Sequence, residues 1–357
     1  STYYVFGRGV NIAAKDETIN DCIQAFLDDP SNQREFSGAQ ARKERDRELT
    51  IDGNLFFVFF VQKDTGKVRI GTLPVDEIDT IIKAPNNRKR NMWYKRSWYA
   101  AGTTERKERY YRDHLNNDLR TNLDGIDVDQ DAVIYHVKVG GFADWAFGIS
   151  ETYAAQAWAQ AYKQFLTNFA SVVATLAMFA ARKRTSGGTA GVAATRAKLA
   201  STLSATNGET NAPRAPGSVS IEASAAEAWD PIKTANATTP ATEGKPIKLM
   251  VASAFGLPDT FFGDTDTGNL ATAQSLDRPT EFQFVDRQEL WIGIYQTILN
   301  FVVFNAVIAP QGMLIDIARP VENSYEETVI EYNEGINSTI NVDFPSILER
   351  DTGSLIN

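Results

Sequence analysis

A chain of 357 residues exceeds the usual size of one compact domain and predicts two or more packed units. With 43% hydrophobic and 23% charged residues the composition is globular, which excludes wholesale disorder. A formal charge of −9 argues against a protein that grips nucleic acid by neutralising many phosphates, and Cys22, the single cysteine, excludes an intrachain disulfide or a thiolate cluster for zinc or iron and sulfur.

The chain opens on Ser1 and stops at Leu355-Ile356-Asn357, ends that read as those of a fragment. Arg8, Lys15, Asp16 and Glu17 interrupt any apolar run of the signal-peptide kind. From Asn32 to Glu48, Arg34, Arg42, Lys43, Arg45 and Arg47 alternate with acids and predict a solvated helix. The apolar run Leu55 to Val61, the turn residues Asp64-Thr65-Gly66-Lys67 and then Val68-Arg69-Ile70 predict a β-hairpin. Val75, Ile78, Ile81 and Ile82 fit either a helix or a short strand before Pro85-Asn86-Asn87.

Arg88-Lys89-Arg90, Lys95 and Arg96 mingle with Trp93, Tyr94, Trp98 and Tyr99. The mixture resembles a stacking surface for nucleic acid, but its alternation suits a strand with one packed face. Asp124, Asp127, Asp129 and Asp131 have the look of a calcium loop without its glycine or closing glutamate, so a polar turn is predicted, followed by a strand over Ala132 to Val139. Ser150 and Glu151 predict the start of an Ala-rich helix reaching Ala181 and closed by Arg182-Lys183-Arg184, a rod of roughly 45 Å.

Beyond Thr185 the composition shifts to Ala, Thr, Ser, Gly, Asn and Pro, with a short helix predicted over Val192 to Leu203 and a strand over Ser218 to Glu222. A second rod is predicted from Thr242 to Phe255. After a polar loop, a third long helix starts at Asn269, is interrupted at Pro279 and stops at Pro310. Met313 to Val321, Glu327 to Tyr332 and Asn337 to Val342 read as short strands or turns.

Two uncharged runs, Gln164 to Ala181 and Leu290 to Ala309, have the length of membrane spans but carry Gln, Asn, Ser and Thr that are costly in lipid; helices buried between subunits explain the same pattern. For enzymatic chemistry there is no Gly-rich loop closed by Lys-Ser/Thr and no His-Glu zinc helix, so the expectation is a non-enzymatic protein with no cofactor and no metal site. His136 lies in a strand pattern and reads as structural, whereas His114 lies in a polar segment and reads as solvated.

Several passages together resemble the portal proteins of tailed bacteriophages of the siphovirus type. They are Gly148-Ile149-Ser150 opening a long helix, Val251 to Pro258 followed by Phe261-Phe262-Gly263-Asp264, Asn269 to Ala273, and Phe344 to Glu349. The resemblance covers nearly the whole chain and implies an α+β portal fold. Residues 1–149 would form the wing, 150–184 the first stem helix, 185–230 a small α/β clip and 231–256 the second stem helix. Residues 257–268 would form the tunnel loop, 269–344 the kinked wing helix with the C-terminal wing, and 345–357 the start of a crown.

On this resemblance the chain is a subunit of a ring, of twelve copies, that passes double-stranded DNA without sequence specificity during packaging and ejection. It docks the terminase large subunit, which supplies the energy, then a head-completion adaptor, and it sits with the major capsid protein at one vertex of the virion after assembly in the host cytoplasm. The implied tunnel-loop residues are Leu257, Pro258, Asp259, Thr260, Phe261, Phe262, Gly263, Asp264, Thr265, Asp266, Thr267 and Gly268; the three aspartates would repel phosphate and the glycines would let the loop adapt. Partner docking at the clip falls to Arg182, Lys183, Arg184, Arg196 and Lys198. A membrane channel, and a virion structural protein without a channel, remain as alternatives.

Overall fold

The structure, a computed structural model, describes residues 5–7, 9–177, 179–202, 218–223, 228–230, 241–257, 270–323, 328–345 and 347. The chain forms two compact units, Ser1–Ala154 with Phe255–Asn357, and the inserted stretch Ala155–Ala254.

The first unit is built on a mixed sheet. Strands β2 (Asn54–Val61), β3 (Val68–Leu73), β4 (Ile78–Ala84), β5 (Asn87–Tyr99), β6 (Arg106–Asp113) and β8 (Ile126–Lys138) run in the order β3-β2-β8-β6-β5-β4, with the short β7 (Asn122–Leu123) pairing β8. All neighbours are antiparallel except β6 and β8. The predicted hairpin is β2 with β3, in register from Phe56 opposite Leu73 to Val61 opposite Val68.

Because side chains alternate along a strand, the unbroken apolar run of β2 serves two cores at once. Leu55, Phe57 and Phe59 enter the larger core, while Phe56 and Val58 enter a smaller one with Leu73, Ile78, Ile81, Tyr94, Tyr111 and Ile134. The segment left open between helix and strand divides into a 3-10 turn, Val75–Glu77, and β4.

The larger core is sealed by three helices, α1 (Glu17–Asp28), α2 (Ala39–Asp52) and the C-terminal α6 (Leu270–Ile308). Asp16 caps α1 by accepting from the amides of Thr18 and Ile19. On α6, Trp291, Ile294, Tyr295, Ile298, Leu299, Val302, Val303, Ala306 and Val307 are buried, the spacing of a single helical stripe. Each large side chain so buried contributes about 1.5–3 kcal/mol. The ring of Phe59 stacks on Phe301 at 4.6 Å, and Phe36 meets Phe57 edge-on at 5.6 Å and Tyr295 at 4.8 Å.

The turn between β2 and β3 rests on the last turn of α6. Gly66 has φ +70°, and a Cβ there would lie 2.2 Å from the Asn305 carbonyl oxygen, so both conformation and space require glycine. The two ends of the described chain meet as an antiparallel pair, β1 (Asn11–Ala14) with β14 (Ile340–Asp343). On β1, the Ile12 carbonyl accepts from the Gln24 side chain and the Ala14 amide donates to the Asn20 side chain, so α1 satisfies the strand's outer edge. A further hairpin pairs β12 (Ala318–Glu322) with β13 (Thr328–Tyr332).

The second unit contains α3 (Tyr153–Ala177) from Ala155 onward, together with a small α/β element. Strand β9 (Phe179–Thr185) is central, parallel to β10 (Ser218–Ala223) and antiparallel to β11 (Ala228–Asp230). Helix α4 (Gly188–Thr202) lies between β9 and β10 in sequence, a βαβ arrangement, and the Thr195 hydroxyl donates to that of Thr185. A 3-10 turn, Ala241–Gly244, leads into α5 (Lys245–Ala254).

Several expectations change. The rod from Ser150 starts at Tyr153 and ends at Ala177, and Arg182-Lys183-Arg184 lie in the centre of β9 instead of closing a helix. Phe179-Ala180-Ala181 continues an Ala-rich pattern, and the sheet partners override it. The stretch Asn32–Glu48 is not one solvated helix. It comprises the short helical turn Pro30–Asn32, a π-helical stretch Gln33–Ser37 and α2, with Asn32, Phe36 and Asp46 buried. Helical backbone in α6 continues through Pro279. The second rod is helical over Lys245–Ala254, and residues 231–240 lie outside the described ones.

Candidate functional site

The tunnel-loop assignment rests mostly on residues outside the described ones: Pro258, Asp259, Thr260, Phe261, Phe262, Gly263, Asp264, Thr265, Asp266, Thr267 and Gly268. Leu257 is described and packs, partly buried, on the larger core. Gly256 beside it has φ +63°, and a Cβ there would strike the Gln283 side chain.

Helix α6 is fixed by a buried ion-pair network to which nothing in the sequence pointed. Arg287 donates from Nε to Asp46 Oδ1 at 2.8 Å, from Nη2 to the Thr50 hydroxyl at 3.0 Å and from Nη1 to Glu151 Oε1 at 3.1 Å. Trp291 Nε1 donates to the same Asp46 oxygen at 3.0 Å. Asp46 is 1% exposed, so its charge is sustained only by these donors. Burial pushes the Glu151 carboxyl above its usual range, with the Arg287 guanidinium opposing the rise. Glu151 was expected to face a helix N-terminus; it serves this network instead, and Ser150 accepts from the Thr152 amide just ahead of α3.

The residues assigned to partner docking gather on one small element. Arg182, Lys183 and Arg184 occupy consecutive positions of β9, with Arg184 in register with Glu222 and Arg182 with Asp230. Arg196 is exposed on α4, where Lys198 also sits. Side chains of Arg182, Lys183 and Lys198 lie outside the described ones.

Helix α3 carries a feature the uncharged run only hinted at. Trp158, Tyr162, Phe165, Leu166, Phe169 and Val173 recur every three to four residues and form one apolar stripe. Phe165 abuts Gly244, where a Cβ would lie 2.4 Å from its ring, and stacks in line with Tyr162 and Phe169. Trp158, Leu166 and Val173 remain exposed by 42%, 45% and 47%. By contrast the uncharged run of α6, Leu290 to Ala309, belongs to a helix long and apolar enough to cross a membrane, and its stripe is interior to the first unit.

The basic and aromatic cluster on β5 is a packed strand. Lys95 pairs with Glu108 at 2.9 Å, Arg96 with Glu77 at 2.7 Å, and Arg96 lies over the Trp98 ring at 4.4 Å. Trp93 and Tyr94 are buried on opposite faces. Carboxylates thus occupy Lys95 and Arg96, whereas Arg88, Lys89 and Arg90 are exposed at the start of the same strand. The stretch Asp124 to Asp131 is not one polar turn as expected: Asp124 lies in the β7–β8 turn, while Asp127, Asp129 and Asp131 lie along β8, with Asp129 paired to Arg109. No group of metal-ligating side chains occurs among the described residues.

Of the histidines, His136 is structural as expected. Its ring stacks on Phe56 at 4.1 Å, Nε2 meets Asn54 Oδ1 at 3.1 Å, and burial lowers its pKa to about 3, helped by Lys138 and Lys83. His114 is not solvated: its side chain is 8% exposed and lies against Tyr135 and Phe301. The polar neighbours in sequence belong to the following loop, while the strand direction turns His114 inward.

No protein-family model matches the chain. No curated protein matches it. Among solved structures it is similar to a chain described as the neck of an empty GTA particle computed with C6 symmetry, at 13% identity, over 92% of this chain and 78% of that one, with a TM-score of 0.46. A likeness of this degree is too slight to carry an argument.

Proposed function

We propose that the protein is a non-enzymatic subunit of a ring-shaped bacteriophage portal, the connector through which double-stranded DNA enters and leaves the capsid. The observation that carries the reading is the apolar stripe of α3. A helix of 25 residues exposes Trp158, Leu166 and Val173 on one face, a surface that no described residue covers and that neighbouring copies would bury in a ring. The order of elements supports it: a long helix, a small α/β element and a second helix follow one another in sequence, the order of stem, clip and stem that the resemblance implies.

In this reading the exposed stripes meet between neighbouring subunits to form the channel wall. The clip, with Arg182, Lys183, Arg184, Arg196 and Lys198, faces the terminase large subunit and then the head-completion adaptor. The acidic segment 257–268 narrows the passage. A channel of this kind needs weak, sequence-blind contact, since strong phosphate neutralisation would stall the DNA. The net charge of −9 agrees with that requirement.

Negative-stain electron microscopy of the purified protein tests the proposal. End-on class averages are expected to show a closed ring of about twelve subunits around a passage wide enough for a duplex of roughly 20 Å, the closed cyclic form that heterologous interfaces build. Pore-free particles would reject the channel and favour a structural virion protein.

A further inference from the structure

Between α1, the π-helical stretch and β1 the first unit holds a cavity of about 430 Å³, lined by Asn11, Gln24, Asp28, Gln33, Arg42 and Tyr295 among others. Two of these groups are unusual. The Tyr295 side chain is 1% exposed, yet its hydroxyl has no acceptor for its proton, its polar neighbour being the donor-only Arg42 guanidinium, a costly state for a buried polar atom. Arg42 is half-buried, and no carboxylate among the described residues pairs with it. Its guanidinium faces the Tyr295 oxygen closely enough to oppose the rise in phenol pKa that burial causes.

From this geometry we infer that the cavity is a binding site for a carboxylate, held by Arg42 through charge and by Tyr295 through its hydroxyl. An oxyanion supplies the acceptor that the hydroxyl lacks and the counter-charge that the guanidinium lacks. Asp28, exposed at the rim, selects against a dianion such as phosphate and leaves a single carboxylate favoured. Gln24 is committed to the Ile12 carbonyl and fixes the wall. The π-helical stretch Gln33–Ser37 widens the backbone at this place, as such stretches do at functional sites.

The site sits on the same two helices as the ion-pair network. Arg42 is one turn from Asp46 on α2, and Tyr295 is one turn from Trp291 on α6, so an occupant bridges the seam that Arg287 closes on its other side. A free small carboxylate and an acidic side chain of a second copy share this chemistry. The inference stands whether or not the chain forms a portal.

Calorimetric titration with sodium propionate, against sodium chloride at matched ionic strength, tests it. Wild type is expected to bind saturably at one site per chain. Tyr295→Phe removes only the hydroxyl and is expected to bind about tenfold more weakly, the loss of one hydrogen bond to a charged group. Arg42→Ala is expected to lose binding, and Arg42→Lys to recover part of it; circular dichroism and thermal midpoint show that each variant is folded.

Sedimentation velocity separates the sources. If a second copy supplies the carboxylate, propionate and Arg42→Ala each reduce self-association; if a free anion is the ligand, sedimentation is unchanged while binding persists. Absence of saturable binding together with identical sedimentation of wild type and Arg42→Ala overturns the inference, as does equal binding by all three variants.

Discussion

Asp46 and Arg287, 241 residues apart in the chain, join at 2.8 Å in the interior of the first unit and tie α2 to α6. The pair is sequestered at the Asp46 end, where the carboxylate is 1% exposed, and closer to water at Arg287, 12% exposed. Its role is therefore asymmetric: removal of Arg287 leaves the Asp46 carboxylate without a counter-charge in a medium that solvates it poorly, whereas removal of Asp46 leaves Arg287 still paired with Glu151.

Arg287→Ala, which strands the buried Asp46 carboxylate, is expected to cost about 3–5 kcal/mol of stability. Asp46→Asn keeps the shape and an acceptor for Trp291 and is expected to cost less. Urea midpoints of the two variants at one pH check the order; equal midpoints would show that the charge itself contributes nothing.

This network was not legible in the sequence, for a physical reason. Asp46 sits among Arg42, Lys43, Glu44, Arg45, Arg47 and Glu48, a pattern that reads as solvated surface, and nothing local marks which acid turns inward. The β2–β3 hairpin was legible because its apolar run, turn residues and partner strand are contiguous, and so were the strands β8 and β10. Strand β9 was not, since Phe179-Ala180-Ala181 extends the Ala-rich helix pattern without a break and only pairing with β10 and β11 makes it extended. His114 and Tyr295 escaped for the same reason as Asp46: their surroundings come from distant elements.

The buried His136 predicts loss of stability in acid. Its folded pKa, about 3, lies below the unfolded value of 6.5, so in that interval the unfolded chain binds the extra proton and stability falls as pH falls. From pH 6.5 to 5 this group alone removes about 2 kcal/mol. His136→Gln is expected to flatten the dependence of the urea midpoint over that range; an unchanged slope would show that other groups govern it.

Gly66→Val introduces a β-branched residue at φ +70° and places its Cβ within 2.2 Å of the Asn305 carbonyl oxygen unless the turn moves away from α6. The expected loss is about 2 kcal/mol or more, combining backbone strain and displaced packing. Thermal melts of this variant beside Gly102→Val, at φ +77° with open space around the Cβ position, separate the clash from the strain.

Under the ring proposal, Trp158→Glu and Leu166→Glu place charge in a subunit interface while leaving an exposed helix position in the isolated chain. Both variants are expected to keep the wild-type circular dichroism spectrum and to sediment as smaller species, because an unpaired buried charge costs several kcal/mol per interface. Rings that assemble normally with either substitution would remove α3 from the wall.

The pairing of β1 with β14 sets an order of events during synthesis. Residues 11–14 cannot find their partner until residues 340–343 have left the ribosome, and the stripe from Trp291 to Val307 that covers Phe57 and Phe59 emerges almost as late. The apolar face of β2 therefore waits with only α1, α2 and Phe36 to cover it, and without α6, through translation of the entire inserted unit from Ala155 to Ala254. Closing contacts of such long sequence separation is slow, and a nascent chain in that condition is exposed to wrong partners and depends on chaperone cover. Yield in a heterologous host is thus expected to depend on how long this core lacks its C-terminal helix, as well as on the stability of the finished fold.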